Sequence, residues 1–243
     1  MSKIFFYELK RVLANWLFLT MLVVNGIFAW YVLSTDIIVG IAYTAPFSVW
    51  SFCAYTGKVM LLSVITTLLM LSGYYGKKQK QVEILTSSTP VTPALLLWIR
   101  SAVLAVCFLL MYAVAAILAA VFYIRFFRFY DFGAFLLPAL LIIVPCFVCS
   151  VGLGHLLGRL HRSLVYLLVV AAFAASMSIA KVFDFFGAGY FQIFPLTLPT
   201  NSDGEPDFFL NPVWLTVRLL YLFAGLGLLA LSGIRAGRKP GKA

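Results

Sequence analysis

The chain has 243 residues, of which 63% are hydrophobic and only 11% are charged, and its mean hydropathy is +1.04. Soluble domains are about 45–50% apolar and about 25% charged, so this composition excludes an ordinary water-soluble fold. The formal net charge of +10 would point to nucleic acid in a soluble protein, whereas in a membrane protein it is typical of basic cytoplasmic loops. We therefore predict an all-α membrane protein.

The first element is the N-terminal segment 1–14, whose apolar residues fall near one helical face. These are Ile4, Phe5, Leu9, Val12 and Leu13, while Glu8, Lys10 and Arg11 fall largely off that face. A helix of this kind lies in the cytoplasmic interface of a membrane. The alternative is a plain basic flank of the first membrane span.

Six apolar segments follow, each long enough to cross a bilayer, which takes about 20 helical residues. They lie at roughly 15–34, 50–74, 95–124, 135–157, 164–183 and 213–233. We expect these six helices to form a single transmembrane domain over residues 1–243, with one long extracytoplasmic loop at 184–212 that is rich in aromatic residues and proline.

The distribution of charge orients these helices. With both termini inside, 13 of the 18 Lys and Arg residues fall in cytoplasmic segments, and of the eight acidic residues only Glu8 and Glu83 do. This asymmetry follows the positive-inside rule for an even number of spans. We predict cytoplasmic termini.

Three basic residues, Lys58, Lys181 and Arg218, fall a turn or two inside the predicted outer ends of three different spans. One interpretation is that they snorkel, with the stem in lipid and the charge at the headgroups. The other is that they surround an outer vestibule and pair with Asp184 or an anionic substrate.

The sequence contains no HExxH or GxSxG motif and no pair of intramembrane aspartates, so we predict no catalytic residue and no metal site. Cys146 and Cys149 are spaced CxxC, but with no second pair we interpret them as packing residues.

His155 and His161 lie where the fourth span leaves the bilayer, which favours a boundary role over a ligand role. Small residues, including Gly154 and Gly158 in that span, indicate close helix packing within the bundle or across a dimer interface.

The segment 75–94, between the second and third spans, combines a basic run, a short apolar stretch and two prolines. The stretch QVEILTSS is long enough for two helical turns and contains Glu83 as its only acid. Thr89-Pro90 ends it, and Thr92-Pro93 predicts the start of a new helix, because Thr is a good N-cap and Pro suits the first helical position.

The pattern G-x6-E-x-L-x-S-S-x-P-V-x over 76–92 resembles the loop after the second span in type-2 ABC exporter permeases, and ELKRVLANWLF over 8–18 resembles that family's N-terminal interfacial helix. Six spans, inside termini and a long last outer loop also match. The chain departs from the family where Pro93 replaces a common basic residue, with Arg100 the nearest basic residue beyond it.

This resemblance implies a permease subunit in a cell membrane, with a bacterial plasma membrane as the first expectation. It implies that a coupling helix docks a separate cytoplasmic ATPase, which binds ATP and Mg²⁺, and that two permeases, identical or not, form the unit. The coupling residues carried over by position are Val82, Glu83, Ile84, Leu85 and Ser87. The expected cargo is hydrophobic or amphipathic: a lipid, a peptide or a drug. The alternatives are an intramembrane scaffold, a membrane enzyme or a secondary transporter.

Overall fold

The computed structural model describes residues 2–76, 92–176, 184–201 and 205–237. Within these ranges the regular structure is helical, with no strand. The helices are α1 (Ser2–Leu13), α2 (Trp16–Val32), α3 (Val49–Tyr74), α4 (Pro93–Phe127), α5 (Gly133–Leu160), α6 (Arg162–Ser176), α7 (Ala188–Ile193) and α8 (Pro212–Gly237). A π-helical turn, Leu33–Ile37, extends α2, and a 3-10 turn, Phe194–Thr197, follows α7. The all-α prediction is confirmed.

Five helices in the described residues are long and apolar enough to cross a membrane: α2 with its π-helical turn, α3, α4, α5 and α8. They correspond to five of the six predicted spans, and they give the chain the character of a multi-pass membrane protein. The remaining predicted span, 164–183, coincides with α6, which has 15 described residues and a length of about 22 Å. Residues 177–183 lie outside the described part of the chain, so the sixth span stays a prediction.

The two ends of α4 show the capping residues that fix where the helix starts and stops. Thr92 caps α4 by accepting a hydrogen bond from the Leu95 amide at 3.3 Å, and Pro93 occupies the first turn, which confirms the predicted helix start. At its other end α4 stops at Arg128, which adopts the left-handed conformation with φ 53°. Between these residues α4 runs 35 residues without a break, about 52 Å, which exceeds the roughly 30 Å of a bilayer core.

Helix α3 lies at the centre of the bundle and contacts α2, α4, α5, α6 and α7. Its hydroxyl side chains are therefore buried, and several bond to their own helix: Thr66 and Thr67 donate to the carbonyls of Leu62 and Ser63 at 2.8 Å. Helices α2 and α8 are peripheral, since only 28% of the residues in the apolar stretch of each helix are buried.

Helix α5 packs closely against α8, and two glycines make that approach possible. A Cβ at Gly225 would lie 2.6 Å from the Cys149 backbone nitrogen, and one at Gly152 would lie 2.6 Å from the Gly225 carbonyl oxygen. Gly154 instead faces α3, where a Cβ would lie 3.0 Å from Leu71. These small residues serve packing inside the bundle.

The two ends of the bundle differ in character. We call one the basic end: it comprises α1, the ends of α3, α5 and α8 and the starts of α4 and α6. Its described basic residues are Lys3, Lys10, Arg11, Arg100, Arg159, Arg162 and Arg235. We call the other the aromatic end: there the segment 184–211 packs rings such as Phe191 and Phe208 against Trp50 and Trp214. Of the described carboxylates, only Glu8 belongs to the basic end.

Candidate functional site

A polar cluster at the basic end begins with Glu8 on α1. Its side chain is buried, with Oε2 at 3.4 Å from Arg11 Nη1 and Oε1 at 3.9 Å from Arg100 Nε. Arg100 also lies over the Tyr74 ring, with Cζ 5.0 Å from the ring centroid. The contact between Glu8 and Arg100 joins α1 to α4, and a carboxylate that is removed from water needs such cations nearby.

His155 on α5 forms the second part of the cluster. Its Nδ1 lies 2.7 Å from the Tyr75 hydroxyl and its Nε2 lies 3.0 Å from Ser101 Oγ. Ser101 Oγ also donates to the Leu97 carbonyl at 3.0 Å, and a hydroxyl has only one proton to donate. The Tyr75 hydroxyl lies closer to Nδ1, at 2.7 Å, than to the His155 carbonyl, at 3.2 Å, which favours the tautomer in which Nδ1 accepts from Tyr75 and Nε2–H donates to Ser101. His155 is therefore a bonded core residue, and in this geometry it does not act as a base toward Ser101.

Close packing brings Tyr75 into reach of His155. The ring lies directly over Gly158, where a Cβ would approach to 2.4 Å, so any larger residue would displace it. His161, by contrast, ends α5 as an exposed residue whose Nδ1 accepts from the Ser163 amide at 3.2 Å. From the sequence, both histidines were predicted to lie at the end of the span. In the structure only His161 lies at the end of α5, and His155 lies within the helix.

Beside this cluster is a cavity of about 180 Å³. It is lined by Tyr74, Tyr75, Pro93, Leu96, Leu97, Arg100, His155, Gly158 and Arg159. One wall is thus apolar and comes from the first turns of α4, and the other is basic and polar. Tyr75 and Pro93 belong to the predicted coupling segment 75–94, but the cavity itself was not predicted from sequence, because its members come from positions up to 85 residues apart, from Tyr74 to Arg159.

The predicted coupling residues Val82, Glu83, Ile84, Leu85 and Ser87 all lie outside the described residues. The structure does place the two ends of their segment. Tyr75 and Gly76 precede it and Thr92 follows it, and both ends adjoin the polar cluster at the basic end.

Two of the three predicted outer vestibule residues, Lys58 and Arg218, lie in the described part of the chain, and they have different partners. Lys58 Nζ pairs with Asp36 Oδ2 at 2.6 Å, and both side chains remain partly exposed. Arg218 is 1% exposed and contacts different elements. Lys181 lies outside the described part of the chain. The vestibule itself stays a prediction, with two of its three residues located.

Arg218 on α8 anchors the segment that follows residue 183. Its guanidinium donates to the carbonyl oxygens of Asp184 and Phe185, at 2.6 Å from Nη2 and 2.5 Å from Nη1. It also lies over the Trp214 ring, with Cζ 4.7 Å from the centroid. The predicted partner Asp184 is thus contacted through its backbone. Its carboxylate instead accepts hydrogen bonds from three backbone amides, those of Phe186, Gly189 and Tyr190.

The cysteines are free and buried, and their contacts agree with a packing role. Cys146 Sγ donates to the Phe185 carbonyl at 2.9 Å, beneath the same segment that Arg218 anchors. Within the described residues there is no group of three His, Cys, Asp or Glu side chains suited to a metal ion.

Comparison with protein-family models, with curated proteins and with solved structures finds no match for this chain.

Proposed function

We propose that this chain is the membrane permease subunit of an ATP-driven exporter. It has six transmembrane helices, α1 lies in the interface as an amphipathic helix, and both termini are cytoplasmic, so the basic end faces the cytoplasm. A separate ATP-binding-cassette subunit binds ATP and Mg²⁺ and docks on the segment 75–94. Two permease copies, identical or different, form the transport unit. The cargo is a hydrophobic or amphipathic molecule such as a lipid, a peptide or a drug.

The observation that carries this proposal is the position of the polar cluster relative to the docking segment. Tyr75, immediately before the segment's undescribed part, bonds to His155 on α5. Arg100, two turns into α4 after that part ends, contacts Glu8 on α1. A force applied to the segment would therefore act on α1, α3, α4 and α5 together, which is what a coupling element requires.

Two alternatives receive less support. A secondary transporter needs an ionisable group near the middle of the membrane, and the carboxylates of the described residues all lie at the two ends of the bundle. A membrane enzyme needs an activated nucleophile, and Ser101 gives its proton to Leu97 and receives one from His155.

The first test is recovery of the motor subunit. The full chain is tagged in its native host, crosslinked in the membrane and purified, and the proteins that accompany it are identified by mass spectrometry. We expect a subunit with a complete phosphate-binding loop, recovered in a stoichiometric amount. Recovery of the chain without any nucleotide-binding subunit would contradict the proposal.

The second test concerns Glu83. In liposomes that contain the complex, we expect Glu83→Gln to abolish stimulation of ATP hydrolysis without loss of the folded chain. Asp207→Asn, an exposed carboxylate at the aromatic end, is the matched control and leaves the stimulation unchanged. Equal ATPase rates in the two variants would refute a coupling role for Glu83.

A further inference from the structure

The cavity at the basic end has an excess of positive charge. Arg100 and Arg159 both line it, and among the described residues no carboxylate does. The nearest carboxylate in the salt-bridge network is Glu8, which lies 3.9 Å from Arg100 and is shared with Arg11. Arg159 has no ion pair with any described residue. Within the described residues, Glu8 is therefore the one carboxylate paired with an arginine of this cavity.

The other polar groups of the cavity wall do not supply the missing negative charge. Tyr75 donates its proton to His155, and His155 uses both ring nitrogens within the cluster. Arg100 and Arg159 are partly buried, and a cation withdrawn from water is costly unless an anion or several acceptors accompany it. The cavity wall therefore favours an anionic ligand. Phosphate is a suitable one, because a planar guanidinium group can donate two hydrogen bonds to its oxygens.

The size and the remaining wall of the cavity fit a phosphate group that carries an apolar substituent. Its volume is about 180 Å³, which is large enough to hold several water molecules. Pro93, Leu96 and Leu97 form the apolar wall. Trp98 beside them is 47% exposed, and a tryptophan at the end of an apolar helix is typical of the headgroup region of a bilayer.

We propose that this cavity binds the headgroup phosphate of an anionic phospholipid, between the start of α4 and the ends of α3 and α5. Arg100 and Arg159 donate hydrogen bonds to the phosphate oxygens, and the glycerol end lies against Pro93, Leu96 and Leu97. The proposal does not depend on transport activity, since a bound lipid of this kind would serve any membrane protein with this cavity.

The test measures lipid retention by native mass spectrometry. The full chain is purified in detergent, mixed with phosphatidylglycerol or with phosphatidylcholine at equal concentration, and the bound fraction is measured. We expect preferential retention of one phosphatidylglycerol, with affinity reduced about tenfold in Arg159→Gln and in Arg100→Gln, as expected for loss of one charge-assisted hydrogen bond. Arg235→Gln, an exposed arginine of the same end on α8, is the control and retains wild-type affinity.

Three results would overturn the proposal. The first is equal retention of both lipids. The second is an equal loss of affinity in Arg235→Gln, which would indicate diffuse surface charge. The third comes from arginine modification by phenylglyoxal: protection of Arg159 by inorganic phosphate but not by phosphatidylglycerol vesicles would assign the cavity to a soluble phosphate. Because Arg100→Gln also removes the contact to Glu8, Arg159→Gln decides the outcome if the Arg100 variant misfolds.

Discussion

Replacement of Arg218 by methionine tests whether the segment after residue 183 is held in place by one buried cation. The substitution keeps most of the side-chain volume but leaves the Asp184 carbonyl without its donor and the Phe185 carbonyl with only the weak Cys146 thiol donor. Each unsatisfied buried acceptor costs about 1–3 kcal/mol, and the contact with the Trp214 ring is lost as well. Removing the cation also removes its own desolvation cost, which offsets part of this loss. We expect a net destabilisation of about 3 kcal/mol.

For a chain of this length, about 3 kcal/mol corresponds to a fall in Tm of about 6–12 °C, measured by fluorescence-detected thermal unfolding in detergent. A local measurement accompanies it. Cys146 is covered by Phe185, so its maleimide labelling, quantified on the Cys146 peptide, should accelerate in the variant. Arg218→Lys should lie between wild type and Arg218→Met, because lysine keeps the charge but lacks the planar fork that reaches both carbonyls.

The matched control is Arg125→Met, which removes an exposed arginine from the aromatic end and should leave both Tm and Cys146 labelling unchanged. If Arg218→Met unfolds within about 1 °C of wild type and Cys146 stays protected, the two carbonyl contacts do not hold the segment and the reasoning is wrong.

Further substitutions probe the close contacts and the exposed ion pair. Gly225→Ala should destabilise by about 1–3 kcal/mol in thermal unfolding, because its Cβ would lie 2.6 Å from a backbone nitrogen of α5, whereas Gly227→Ala on the same helix meets nothing within 4 Å and should be neutral or slightly stabilising. Gly57→Ala should lower Tm for the same reason, since its Cβ would lie 2.6 Å from the backbone of α7, and the exposed Gly73→Ala serves as its control. Lys58→Met should change stability by less than about 1 kcal/mol, because its ion pair is partly exposed; a larger loss would show that the pair is more strongly coupled to the bundle than its exposure indicates.

For the five described helices that are long enough to cross a membrane, the boundaries could be predicted from sequence to within a few residues. A segment in lipid must satisfy its backbone hydrogen bonds internally, so the length of an apolar run is by itself evidence for a helix that crosses the bilayer. The start of α4 could also be predicted. Thr92 and Pro93 stabilise the first turn of their own helix, and this effect needs no contact with another helix.

The contacts between helices were not readable in this way. In water the buried face of a helix is recognised by its apolar stripe, but lipid is as apolar as a protein core, so the periodicity that would mark the inner face is weak here. Exposed side chains such as Leu137 and Phe223 look no different in sequence from buried ones such as Leu104 and Phe108.

What the sequence alone determined about this protein is its class: an apolar, basic, helical membrane chain with a charge asymmetry that favours inside termini. Only the tertiary structure decided which few polar groups meet. It brought Tyr75 to His155, 80 residues apart, and Arg218 to the Phe185 carbonyl, 33 residues apart. The physical reason is that a buried hydrogen bond depends on distance and direction between two specific atoms, and these follow from how helices pack, not from local composition.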